Sequence, residues 1–110
     1  YDLATYPWHN QGIPEETMQT YGHTTNPKEY CANVAKISPK SYVDNWDVPI
    51  HLIHHLNDMS SWFGQSVAAY NDALMQGKCV DLTIVPGPHT YDIKHRNVLF
   101  RQIVNYFTIN

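Results

Sequence analysis

Two short apolar runs limit what this chain can fold into. Val48-Pro49-Ile50-His51-Leu52-Ile53-His54 and Val80-Asp81-Leu82-Thr83-Ile84-Val85 are each about one strand long, and a helical stretch over residues 64–76 lies between them. Apolar residues in the first run do not alternate cleanly with polar ones, the pattern of a strand covered on both faces. Pro49 has no N–H to give a ladder, so it fits only the beginning of that strand. The second run stops at Pro86-Gly87-Pro88. In the helical stretch Val67, Tyr70 and Leu74 share one stripe, Ala69 and Ala73 act as small fillers, and Gly77 can end the helix. From about 94 to 107, Leu99, Phe100, Ile103, Val104 and Phe107 recur at helical steps. Strand, helix, strand, helix is a βαβ unit with a closing helix, and such crossovers join parallel strands. The fold class is α/β.

Residues 1–22 read mostly as loop, with a short helix opening at Pro14-Glu15-Glu16 and stopping at Gly22. Asn26-Pro27-Lys28-Glu29 is a stronger start signal: Asn26 can cap, Pro27 suits the first helical position, and Glu29 stands where a capping box wants its acid. That helix runs to about Ala35, before Ser38-Pro39 breaks the chain; residues 41–47 fit a turn or a single helical turn. One domain accounts for all 110 residues.

A net charge of −3 with scattered lysines and arginines gives no basic stripe, which argues against a nucleic-acid partner. No apolar run approaches the roughly 20 residues of a membrane-spanning helix, so no membrane partner is expected. Cys31 and Cys79 lack C-x-x-C spacing; two buried free thiols are expected, and a single bridge also fits. The chain opens on Tyr1, which leads us to expect a processed or truncated piece of a longer protein.

Ligands of open parallel sheets bind beyond the carboxyl ends of the strands. After the first strand comes His55-Leu56-Asn57-Asp58, and after the second Pro86-Gly87-Pro88-His89. Singly these are ordinary, since an aspartate there is usually a turn former and a histidine in a Pro/Gly loop is usually solvated. Together, a carboxylate and an imidazole leave neighbouring strands on one sheet edge. An acid that orients a histidine, which then acts as general base, is two thirds of a nucleophilic triad. His51, His54 and His55 are not expected to make a metal site, because successive strand residues point to opposite faces, so His54 diverges from both His51 and His55, and no further ligand follows at a zinc spacing. They read as core or interface histidines. Trp62 and Phe63 directly follow the acid loop and, with Trp8 and His9, are candidates for substrate contact; packing against the next helix is the plainer role.

The stretch 48–54, then Asn57-Asp58 and Gln65-Ser66, resembles the acid-bearing strand and helix of α/β-hydrolases, nearest the prolyl-oligopeptidase-like and carboxylesterase branch. Gly77-Lys78, Val80-Asp81-Leu82 and Val85-Pro86-Gly87-Pro88-His89 resemble that branch's final strand and histidine loop, and Tyr1-Asp2-Leu3, Ser38-Pro39 and Ser41-Tyr42-Val43 match preceding segments. The resemblance implies that residues 1–110 are the C-terminal part of one doubly wound, mostly parallel hydrolase domain, with Asp58 as triad acid and His89 as triad base. Two features depart from the pattern: His55 stands where glycine is usual, and Pro88 and Thr90 flank the histidine in place of glycines, which stiffens both loops.

The nucleophile of such enzymes sits on a G-x-S-x-G elbow, and this chain has none. Ser60 and Ser61 fall in the acid loop, Ser66 in a helix, Ser38 and Ser41 beside a turn. Loss of a nucleophile alone can cost about 10⁶ in rate, so this chain alone is expected to be inactive. The strand from Val48 would also leave an apolar edge open if nothing preceded it, which argues for a second portion that completes the sheet. The expected partner is an N-terminal portion of the same hydrolase that carries the serine and completes both sheet and site. What the resemblance implies is a serine hydrolase with a small ester or peptide substrate and no metal or organic cofactor. An esterase is the first expectation and a prolyl-oligopeptidase-type peptidase the second. A hydrolase-like domain that only binds is the third.

Overall fold

The computed structural model describes residues 1–5, 13–89 and 93–109. Helices α1 (Glu15–Gly22) and α2 (Pro27–Ala35) lead into a 3-10 helix (Pro39–Asn45), followed by β1 (Ile50–His55), α3 (Gly64–Met75), β2 (Val80–Val85) and α4 (Ile93–Ile109). The chain is a small α/β domain whose two strands pair in parallel, Ile50 opposite Val80 and His55 opposite Val85.

The first strand begins later than its apolar run. Pro49 cannot donate, and the pairing opens with the Ile50 amide donating to the Cys79 carbonyl at 3.0 Å. Val48 is left outside, 67% exposed. Successive β1 residues face opposite sides. Ile50 and Leu52 pack with Val80, Ala73 and Tyr70 on the α3 side, whereas the His51 ring lies 4.8 Å from that of Tyr106 in α4.

Burial of β1 on both faces, expected from its composition, is corrected: Ile50 to His54 are each only partly covered, and Ile84 of β2 is exposed. Two strands with one helix on each side leave the sheet flanks open, and α4 itself exposes Phe100, Val104 and Phe107. The stripe expected on α3 is corrected too. Ala69 and Ala73 are the buried residues, while Leu74 is 48% exposed. Small side chains let the helix approach the sheet and Val43 of the 3-10 helix closely, and Leu74 falls off that line of contact.

A second cluster joins the first two helices: Met18, Tyr30 and Val34, with Leu3, Ala4 and Ile13 packed against it. Asn26 caps α2 as its sequence suggests, Oδ1 accepting from the amides of Lys28 (3.0 Å) and Glu29 (3.2 Å). The box closes through a relay, since the Asn26 amide donates to Thr24 Oγ1 and that hydroxyl donates to the Glu29 carboxylate. Gly22 lies within α1; the left-handed residue that ends the helix is His23 (φ 55°). The N-terminal strap binds the two parts: Leu3 N donates to Ser38 Oγ, Asp2 N to Gln65 Oε1, and the Tyr1 hydroxyl to the Asp72 carboxylate on α3. Cys31 and Cys79 are free and exposed, correcting the expectation of buried thiols; neither lies among the apolar residues of the two clusters. Among the described residues, no helix is long and apolar enough to cross a membrane.

Candidate active site

Beyond the last paired residues the backbone keeps the two strands' loops joined. The Leu56 amide donates to the Val85 carbonyl (2.8 Å) and the Asn57 amide to the Gly87 carbonyl (3.0 Å). Gly87 takes φ 124°, a region in which only glycine is at ease, and this lets the histidine loop turn back towards the acid loop. Among the described non-glycine residues only His23 has a positive φ. His55 and Pro88, at positions where the hydrolase resemblance leads us to expect glycine, therefore need no glycine-like backbone; Thr90 lies outside the described residues.

These loops place Nδ1 of His89 2.8 Å from Oδ2 of Asp58. The Asp58 side chain is 6% exposed and that of His89 55% exposed, so the carboxylate is covered and the imidazole opens to solvent. Asp58 Oδ1 accepts from the amides of Ser60 (2.9 Å) and Ser61 (2.7 Å). Burial alone would raise the Asp58 pKa, but the Ser61 amide, the His89 ring and the Ser60 amide outweigh it and hold the carboxyl below the usual carboxylate range. The carboxylate can only accept, so His89 donates through Nδ1, and in the neutral ring Nε2 keeps its lone pair for a proton. Ile53, His54, His55, Ser61, Asp58 and His89 enclose a cleft of about 220 Å³.

A second imidazole reaches the same carboxylate. His54 Nε2 lies 2.5 Å from the Ser61 carbonyl oxygen and 3.5 Å from Asp58 Oδ2, while Nδ1 lies 2.7 Å from Ser66 Oγ in α3. From the sequence alone His54 reads as a core or interface histidine. The spacing His54-x-x-x-Asp58 at a strand end was the available signal. His51 points to the other sheet face, where Nε2 bonds Thr83 Oγ1 at 2.8 Å. Among the described residues, no three His, Cys, Asp or Glu side chains gather as a metal would require.

Trp62 and Phe63, with Leu56, Met59 and Asp58, line an apolar hollow of about 320 Å³ on the flank of the acid loop. Both aromatics are exposed. Trp8 and His9 lie outside the described residues. Ser38 is committed to structure, donating to the Val34 carbonyl and accepting from the Leu3 amide.

No protein-family profile matches the chain. No solved structure matches it either. Over 62 residues, 56% of the chain, it is 34% identical to dipeptidyl-peptidase 5 of Porphyromonas gingivalis, and the match spans 9% of that protein's length. The likeness is thus to a peptidase, through a small part of its chain.

Proposed function

We propose that this chain supplies the acid and base of a serine-hydrolase triad, and that the enzyme is a peptidase of the dipeptidyl-peptidase kind. One observation carries the reading: the covered Asp58 carboxylate meets the exposed His89 ring at 2.8 Å, just past the ends of two adjacent parallel strands. In this reading His89 Nε2 takes the proton of a serine hydroxyl as that oxygen attacks a carbonyl, then returns it to the leaving group. Asp58 fixes the imidazole tautomer and stabilises the charged ring. The serine and the oxyanion donors come from another portion of the same hydrolase domain, which pairs along β1; the partly exposed flanks of the sheet are consistent with such a neighbour. The hollow beside Trp62 and Phe63 would receive an apolar part of the substrate. Of the two expected substrates, the likeness to a dipeptidyl-peptidase favours the peptide over the ester.

The test uses the full-length protein that carries this chain. A fluorophosphonate probe should attach to a serine outside residues 1–110, identified by peptide mapping, and His89→Ala should abolish labelling. Dipeptidyl amide substrates should turn over faster than short acyl esters. Labelling at Ser66, or turnover unaffected by His89→Ala, refutes the triad; faster ester turnover restores the esterase.

A further inference from the structure

We propose that His54 is a positioning residue for Asp58, the ring that holds the acid loop in the shape that presents Oδ2 to His89. The inference rests on the triad reading above and adds a residue to it.

His54 stands at the junction of three elements. It belongs to β1, its Nε2 meets the acid loop at the Ser61 carbonyl, and its Nδ1 meets α3 at Ser66. The proton positions follow from the partners. A carbonyl oxygen and a carboxylate oxygen only accept, and both face Nε2, at 2.5 and 3.5 Å, so Nε2 carries hydrogen. Ser66 has a hydroxyl proton to give, so the neutral ring is satisfied with Nδ1 accepting. The bond to the Ser61 carbonyl matters because the amide of the same residue holds Asp58 Oδ1 at 2.7 Å. A line of contacts thus runs from His54 to Ser61, from Ser61 to Asp58, and from Asp58 to His89. Releasing the Ser61 carbonyl would free the loop to turn, and with it the carboxylate. A misplacement of about 1 Å in a catalytic constellation can cost about 10²-fold in rate.

A histidine that merely fills the space between α3 and the sheet would behave differently, since any side chain of similar volume would serve. The amide variants separate the two roles. His54→Gln can place an N–H donor near the position of Nε2, whereas the amide of His54→Asn falls short, near Nδ1. In the full-length enzyme, His54→Leu and His54→Asn should each lower kcat about 10- to 100-fold with KM within about 3-fold. His54→Gln should recover kcat to within about 3-fold of wild type. Equal kcat for Gln and Asn overturns the proposal, as does wild-type kcat in a folded Leu variant; if Leu does not fold, His54→Met, close to histidine in volume and without an N–H, takes its place, and wild-type kcat there overturns the proposal. His89→Ala serves as the reference. If it leaves turnover intact, the triad reading falls; if it abolishes turnover while the His54 variants do nothing, only the role of His54 falls.

Discussion

His89 Nδ1 and Asp58 Oδ2 meet at 2.8 Å although 31 positions separate the two residues along the chain. Backbone bonds bring them together: the Leu56 and Asn57 amides reach the Val85 and Gly87 carbonyls, so the loops remain zipped beyond the sheet. The acid is then fixed from its other oxygen by the Ser60 and Ser61 amides. A carboxylate held this way can orient an imidazole that is itself free to meet a substrate.

Asp58→Asn tests that orientation. The amide oxygen can still accept from Ser60 and Ser61, so the loop should persist. Its NH2 then faces His89 Nδ1, donor against donor, and the ring must take the other tautomer. We expect kcat of the full-length enzyme to fall about 10⁴-fold, with the circular dichroism spectrum unchanged. Activity within about 10-fold of wild type would mean that Asp58 does not serve His89.

The depressed pKa of Asp58 makes a statement about stability. A group that ionises more readily when folded adds stability above its unfolded pKa of about 3.9, and that stability is lost as pH falls through the lower, folded value. Asp2 behaves alike: burial opposes its ionisation, but the Thr5 hydroxyl, the Ala4 amide and Lys40 more than compensate. Urea midpoints measured between pH 6 and pH 2 should therefore decline for the wild type, and less steeply for Asp58→Asn. Parallel declines would place the acid sensitivity elsewhere.

Much of this was legible along the chain, for local reasons. Asn26-Pro27 marks the start of α2 because capping and a fixed φ act within one turn, and the run from Val80 to Val85 is the whole of β2. The departures come from contacts between elements. Composition alone could not tell that α3 would pack through Ala69 and Ala73 and leave Leu74 out, because the choice depends on how closely helix and sheet approach. The pairing of Asp58 with His89 could be anticipated from strand ends. The place of His54 was marked only by its four-residue spacing from Asp58, since its partners Ser61 and Ser66 arrive from the loop and the following helix.

Asn26→Ala should destabilise the protein by about 1 kcal/mol, because two amides of the first turn of α2 lose their acceptor. Asn26→Asp keeps an oxygen in place and adds charge at the positive end of the helix, so it should match or exceed the wild type. Chemical denaturation of the three proteins gives the comparison. An alanine variant as stable as the wild type would show that water replaces the cap without loss.

Gly22→Ala sets two effects of similar size against each other. The position is helical with no positive φ, so alanine's propensity alone would stabilise by up to about 1 kcal/mol. The new methyl, however, would lie 2.6 Å from Cδ2 of Tyr30, closer than real contacts allow. Tyr30 cannot easily yield. Its side chain is fully buried against Met18 and Val34, and its hydroxyl donates to the Leu3 carbonyl at 3.1 Å. Overpacking of this kind costs about 1–3 kcal/mol, so the clash should win and the variant should unfold at lower denaturant than the wild type. Tyr30→Phe in the same background should not relieve it, because the crowded atom is in the ring. A Gly22→Ala protein more stable than wild type would mean that α1 and α2 can shift apart at little cost, and that their contact is looser than the burial of Tyr30 indicates.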